Sequence, residues 1–105
     1  MEFIETPVFT KEVRRHLDDM AYRALQLALL LRPEQGRLIQ GSGGLRKLRW
    51  RSKVRGKRGA LRLIYYWDPG SDGLYLLFLY EKGSQENLTP TQLKILSRIV
   101  REELK

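Results

Sequence analysis

The chain has no cysteine and a single histidine, His16. A disulfide scaffold, a thiolate metal site, a thiol nucleophile and a poly-histidine metal centre are therefore excluded. Unbroken apolar runs such as Leu27 to Leu31 fall far short of the roughly 20 residues that span a bilayer. The opening Met1-Glu2-Phe3-Ile4-Glu5 lacks the basic-then-apolar pattern of a secretory signal. Acidic residues are missing from the whole stretch between Gln35 and Trp67. No internal repeat, low-complexity tract or linker divides the chain. These absences leave one small soluble domain over residues 1–105, expected in the cytoplasm with no membrane partner.

What is abundant is positive charge. Lys and Arg number 20 against 12 Asp and Glu, a net charge of +8. The acid-free stretch carries Arg37, Arg46, Lys47, Arg49, Arg51, Lys53, Arg55, Lys57, Arg58 and Arg62, while the rest of the chain is close to neutral. Solubility alone would be served by an even spread. Concentration in one segment makes one surface electropositive and suited to phosphates. Leu48, Trp50, Leu61, Leu63 and Ile64 interleave with these cations, which marks the segment as part of the folded core rather than a solvated tail.

The apolar pattern predicts an α+β domain of order β-α-α-β-β-β-α. Phe3-Ile4 reads as a short first strand. A helix opens at Thr6-Pro7 or Thr10, with Phe9, Val13 and Leu17 on one face, and a second is capped by Asp18 or Asp19. The second runs from Met20 to Leu31, with Tyr22, Leu25, Leu29 and the Leu27-to-Leu31 cluster on a wide apolar side, and ends at Arg32-Pro33. The two form a hairpin against one side of a mostly antiparallel sheet. Gly41-Ser42-Gly43-Gly44 lacks the Gly-Lys-Ser/Thr of a P-loop and reads as a turn into strands Leu45–Arg51, Ala60–Trp67 and Leu74–Glu81. Asp68 to Gly73 is a strong turn signal. The last strand is nearly all apolar, as a strand covered on both faces would be. Thr89-Pro90-Thr91-Gln92 is a capping box, flanked by Leu88 and Leu93 as a hydrophobic staple, and Leu93, Leu96, Val100 and Leu104 form the stripe of a C-terminal helix.

Most catalytic kits are missing. His16 has no second ligand or nucleophile at a motif spacing and reads as a surface residue. Asp18-Asp19 and Glu102-Glu103 sit at helix ends and form no acid–base dyad. What remains is cationic and aromatic. Strand alternation puts Lys47, Arg49 and Arg51 on one face, Arg46, Leu48 and Trp50 on the other, and Arg62, Ile64 and Tyr66 on one face of the next strand. A register bringing Arg62 beside Arg49 or Lys47 would crowd like charges, an arrangement that destabilises a sheet and that an anion would relieve. Tyr66 and Tyr80 are candidates for stacking on unpaired bases, against a competing role as half-buried core aromatics. Cations also suit RNA cleavage, because the 2′-hydroxyl is the substrate's own nucleophile. Arginine can hold a pentavalent phosphate bidentately, and an ammonium ringed by other cations gives up its proton more readily. Neither metal nor cofactor is required.

Gly43-Gly44-Leu45-Arg46-Lys47-Leu48-Arg49, then Gly56-Lys57-Arg58-Gly59-Ala60-Leu61-Arg62-Leu63-Ile64-Tyr65-Tyr66, then Tyr80-Glu81-Lys82 and Asn87-Leu88-Thr89-Pro90, together resemble the RelE/HigB superfamily of bacterial toxins, in its HigB-like branch. The resemblance implies the toxin of a type II toxin–antitoxin system, a ribosome-dependent mRNA endonuclease acting at the A site. Its partners would be mRNA, the ribosome and a co-expressed antitoxin, typically a helix-turn-helix DNA-binding protein. The family's catalytic cations fall on Lys47, Arg49 and Arg62, and on Lys82 with a possible one-residue offset. Arg46, Arg51, Lys53, Arg55, Lys57, Arg58, Tyr66 and Tyr80 are then RNA-binding candidates. Two departures stand out. No tyrosine follows Tyr80, so the family's C-terminal tyrosine role passes to Tyr66, to Tyr80 or to neither. Arg49 replaces the second lysine of a Lys-Lys pair and is a poor proton acceptor, which leaves Lys47 and Lys82 for proton transfer. ParE-like toxins, which inhibit gyrase on a similar fold, are the alternative, with a non-catalytic RNA- or ribosome-binding module as a third reading.

Overall fold

A computed structural model describes residues 1–51 and 60–104. Five strands form one sheet in the order β1-β5-β4-β3-β2: β1 (Glu2–Glu5), β2 (Arg37–Leu38), β3 (Leu45–Arg51), β4 (Ala60–Asp68) and β5 (Gly73–Glu81). Only β1 against β5 is parallel; β2–β3, β3–β4 and β4–β5 are antiparallel. Helices α1 (Pro7–His16) and α2 (Asp19–Leu31) cover one face, and α3 (Pro90–Ile99) covers the other, continuing into a π-helical turn over Val100–Leu104. The α+β order read from the sequence is therefore present. Two features were not anticipated: the two-residue β2 and the π-helical end of α3.

Local chemistry explains the helix boundaries. Thr6 caps α1 by accepting from the Phe9 amide at 3.0 Å, and Asp18 caps α2 by accepting from the Ala21 amide at 2.8 Å. Thr89 and Gln92 complete the capping box of α3, with bonds of 3.1 and 3.0 Å. Each caps an amide that the first helical turn leaves without an internal partner.

Because both faces of the sheet are covered, two cores form. Phe9, Val13, Leu17, Ala21, Leu25 and Leu29 of the hairpin meet Leu48, Leu61, Leu63, Tyr65, Leu74, Leu76 and Leu79. On the other face Leu96 and Val100 meet Leu45, Ile64, Leu77 and Tyr80, flanked by Leu88, Leu93 and Leu104. The apolar side of α2 is wider than the sheet can cover. Leu27, Leu30 and Leu31 are 55%, 49% and 72% exposed, so the Leu27-to-Leu31 cluster is only partly core.

One buried tyrosine fixes the approach to β2. The Tyr65 hydroxyl donates to the Pro33 carbonyl at 2.7 Å and accepts from the Gly36 amide at 2.9 Å. A Cβ at Gly36 would stand 2.8 Å from the same ring. Tyr65→Phe strands a buried amide and a carbonyl, and is expected to cost about 1–3 kcal/mol. The urea midpoint should fall with the slope unchanged. Gly41 to Gly44 is the turn expected from sequence, tied by the Ser42 hydroxyl to the Ile39 carbonyl (2.6 Å) and the Leu45 amide (3.0 Å).

Candidate nucleic-acid interface

The side chains of β3 alternate between the two faces of the sheet. Leu48 and Trp50 join the core under the α1–α2 hairpin, and Leu45 joins the core under α3. Lys47, Arg49 and Arg51 therefore share the α3 face. On β4 the same parity places Arg62, Ile64 and Tyr66 on that face. The register then sets rows across the sheet: Arg37–Lys47–Ile64–Phe78, and next to it Arg49–Arg62–Tyr80. The Ile39 amide bonds the Leu45 carbonyl, so the polar backbone groups of Lys47 and Arg49 also point toward β2. Arg49 and Arg62 are thus a non-hydrogen-bonded pair, the closer kind, with Cα atoms roughly 4.5 Å apart.

A β-bulge completes the second row. Ile64 pairs with Phe78 but Tyr65 pairs with Leu76, leaving Leu77 as an extra residue in β5. Leu77 and Phe78 both lie on the α3 face. Unbroken alternation from Tyr75 would turn Tyr80 toward α1; the extra residue returns it to the side of Arg62. Bulges commonly re-aim a side chain in this way beside functional sites.

Electrostatics distinguish the members of this cluster. Arg62 is 5% exposed, and among the described residues its guanidinium donates only to the neighbouring Leu61 carbonyl, at 3.2 Å. None of the ion pairs among the described residues involves Lys47, Arg49, Arg51 or Arg62. Arg49 is exposed directly opposite. Lys47 donates from Nζ to Asn87 Oδ1 at 2.8 Å, which ties the segment before α3 to the cationic row. Like charges at this separation oppose folding, and a buried guanidinium adds a desolvation cost. A phosphate placed over Arg49 and Arg62 would offset both.

The remaining candidates divide. Lys82 follows β5, and its amide donates to the Ala60 carbonyl at 2.9 Å. Arg51 pairs with Ala60 from the other side, so Arg51 and the backbone of Lys82 flank the row next to Arg49–Arg62–Tyr80. Arg46 is not brought to this face: it lies with Leu48 and Trp50, donating to the carbonyls of Glu34 (3.0 Å) and Gly36 (2.8 Å). It braces the turn leading into β2. Lys53, Arg55, Lys57 and Arg58 lie outside the described residues. Tyr66 is on the correct face but four residues along β4 from Arg62, roughly 13 Å of strand rise. It packs near Tyr75 and over Gly44, whose φ of +123° and 2.9 Å Cβ clearance to the Tyr66 ring admit no side chain.

Tyr80 is 4% exposed, and its ring lies against Phe78 with centroids 5.6 Å apart. Buried in this way, it offers no open face to a base. Its hydroxyl is buried without a hydrogen-bond partner among the described residues. Burial raises this phenol above its usual pKa; the positive charge of Arg62 lowers it in part, and Glu86 raises it further. It stays protonated across the physiological range and can donate a proton or hydrogen bond but not act as a base.

His16 departs from the sequence reading. Its side chain is 15% exposed, with Nδ1 3.0 Å from Glu81 and Nε2 3.5 Å from Glu12. It joins α1 to the end of β5 on the far side of the sheet. Among the described residues no group of three or more His, Cys, Asp or Glu side chains is placed to hold a metal ion, and no helix is long and apolar enough to cross a membrane.

Sequence reasoning also missed a member of the cluster. Arg37 stands opposite Lys47 and lines a cleft of about 270 Å³ with Gln35, Lys47, Leu48 and Arg49. Its place in the acid-free stretch was a signal, but a two-residue strand has too little pattern to be recognised.

No family model matches the chain. A solved structure of E. coli toxin RelE, a mutant with two arginines replaced by alanine and in the free state, superposes with a TM-score of 0.58 at 17% identity, over 81% of this chain and 86% of that one. With the order of its elements and its mostly antiparallel five-stranded sheet, the chain has a RelE-like α+β fold.

Proposed function

We propose that this protein is the toxin of a type II toxin–antitoxin system, an mRNA endonuclease that inhibits translation in the cytoplasm at the ribosomal A site. The observation that carries the proposal is the buried Arg62, which has no carboxylate partner among the described residues, held across from exposed Arg49. This arrangement costs stability in isolation and gains it with a phosphodiester. The RelE-like fold adds weight at the level of architecture.

In the reaction, the 2′-hydroxyl oxygen attacks the adjacent phosphorus while the P–O5′ bond breaks, leaving a 2′,3′-cyclic phosphate and a free 5′-hydroxyl. Arg49 and Arg62 stabilise the charge on the nonbridging oxygens as the phosphorus becomes pentavalent. Proton removal from the 2′-hydroxyl and delivery to O5′ are assigned to Lys47 and Lys82, because arginine holds its proton too firmly for either task. Asn87 holds the Lys47 ammonium at the edge of the row. Arg51 with Lys53, Arg55, Lys57 and Arg58 extends the contact to mRNA and ribosomal RNA. No metal or cofactor takes part.

A co-expressed antitoxin, of the helix-turn-helix kind found in the HigB-like branch, is the proposed protein partner. Exposed Leu27, Leu30 and Leu31 on α2 support a protein partner, because they give it an apolar surface away from the cationic face. The test is a cell-free translation reaction read by primer extension, run beside a gyrase supercoiling assay. Truncated mRNA with supercoiling unaffected is the expected result. Intact mRNA with supercoiling blocked would establish the gyrase-directed alternative, and intact mRNA with salt-sensitive ribosome binding a non-catalytic module.

A further inference from the structure

We infer that the notch beside β2 is a second phosphate subsite, with Arg37 as its principal residue, taking the phosphodiester next to the one held by Arg49 and Arg62. The inference rests on the reading of this face as an RNA site and specifies its substrate as a single strand gripped at consecutive phosphates. Three independent observations place the subsite. The β2–β3 register sets Arg37 directly across from Lys47 on the α3 face. Pairing to β2 stops at Arg37, and among the described residues no backbone hydrogen bond joins Arg49 to Gln35, the residue that would continue the ladder. The backbone N–H of Arg49, which points to that side by the alternation of the ladder, consequently faces the opening. The opening is a real concavity of about 270 Å³, bounded by Gln35, Arg37, Lys47, Leu48 and Arg49.

The spacing fits a polymer rather than a lone ion. Along β3, Lys47 and Arg49 are two residues apart, roughly 7 Å of strand rise, close to the separation of neighbouring phosphates in an extended single strand. Arg37 and Lys47 form one cationic row and Arg49 and Arg62 the next. Of the four, only Arg62 is buried. The inner row grips the reacting phosphate, and Arg37 at the edge of the outer row orients the strand that leads to it. Arg37 is therefore a positioning residue.

The test is binding of fluorescein-labelled RNA to wild type, Arg37→Ala, Arg62→Ala and Arg23→Ala as a function of salt. Arg23 is exposed on α2, away from this face, and matches the change in charge. With a single-stranded tetranucleotide, the slope of log K against log salt should become shallower for Arg37→Ala by about 0.7, the value of one single-strand phosphate contact. Arg23→Ala should run parallel to wild type. With a dinucleotide, whose one phosphodiester occupies the inner row, Arg37→Ala and wild type should bind alike while Arg62→Ala is weakened. A tetranucleotide slope for Arg37→Ala equal to that of Arg23→Ala, with Arg62→Ala still weakened, would overturn the subsite and leave the proposed function standing. Slopes for Arg37→Ala and Arg62→Ala that both match wild type would overturn both the subsite and the proposed function.

Discussion

Arg62→Ala is expected to abolish growth inhibition while the protein still folds and still binds the proposed antitoxin. The expectation follows from where the side chain sits. Arg62 is at the centre of the Arg49–Arg62–Tyr80 row, 5% exposed, where low dielectric makes each charge-assisted hydrogen bond stronger than in water. A donor aimed at the developing phosphorane charge from such a position typically contributes about 10²–10³ in rate. Arg49→Ala should cost less, because Arg49 is exposed and its charge is screened by solvent. The two losses should not add, since both arginines act on one phosphate. Full toxicity of a folded Arg62→Ala protein would contradict the assignment.

The second large effect concerns stability and has the opposite sign. Arg62→Met keeps an unbranched chain of similar reach and removes a buried charge with no carboxylate partner among the described residues. Replacing buried charge by well-packed apolar atoms is often neutral or stabilising by about 1–4 kcal/mol. The variant should therefore unfold at higher urea than wild type while being inactive, the trade-off expected of a site built for binding rather than stability. Oligonucleotide should erase the difference from one side only. A ligand at 100 times its dissociation constant stabilises a native state by about 2.7 kcal/mol, so wild type should gain at saturating single-stranded RNA and Arg62→Met very little. A urea midpoint for Arg62→Met well below wild type, in the absence of RNA, would show that Arg62 is a structural residue.

How much of this was legible in the sequence depends on whether a feature is periodic. The face shared by Lys47, Arg49 and Arg51 follows from the two-residue repeat of a strand, and the α3 start from the Thr89–Gln92 capping box. The pairing of Arg49 with Arg62 could be posed only as a condition, because register is set between strands. The bulge at Leu77 left no trace: Leu74 to Tyr80 is apolar on both faces, so there is no alternation for an extra residue to interrupt. For the same reason Tyr80 could not be distinguished from an exposed stacking tyrosine until its burial beside Phe78 was seen. Arg46 was grouped with the RNA-binding cations by its charge, although its parity already set it with Leu48 and Trp50. The carbonyls it serves belong to a turn with no sequence signature for that contact. Leu27, Leu30 and Leu31 illustrate the converse limit, since an apolar side wider than the core-facing stripe of a helix does not say which part is left uncovered.

The most direct test of the central claim, that Arg49 and Arg62 stabilise a phosphodiester under attack by its own 2′-hydroxyl, is the chemistry of the RNA ends. Messenger RNA recovered from a translation reaction with wild-type protein should carry 2′,3′-cyclic phosphates on the upstream fragments and 5′-hydroxyls on the downstream ones, and with Arg62→Ala it should be intact. Fragments ending in a 3′-hydroxyl and a 5′-phosphate, or cleavage undiminished by Arg62→Ala, would contradict it.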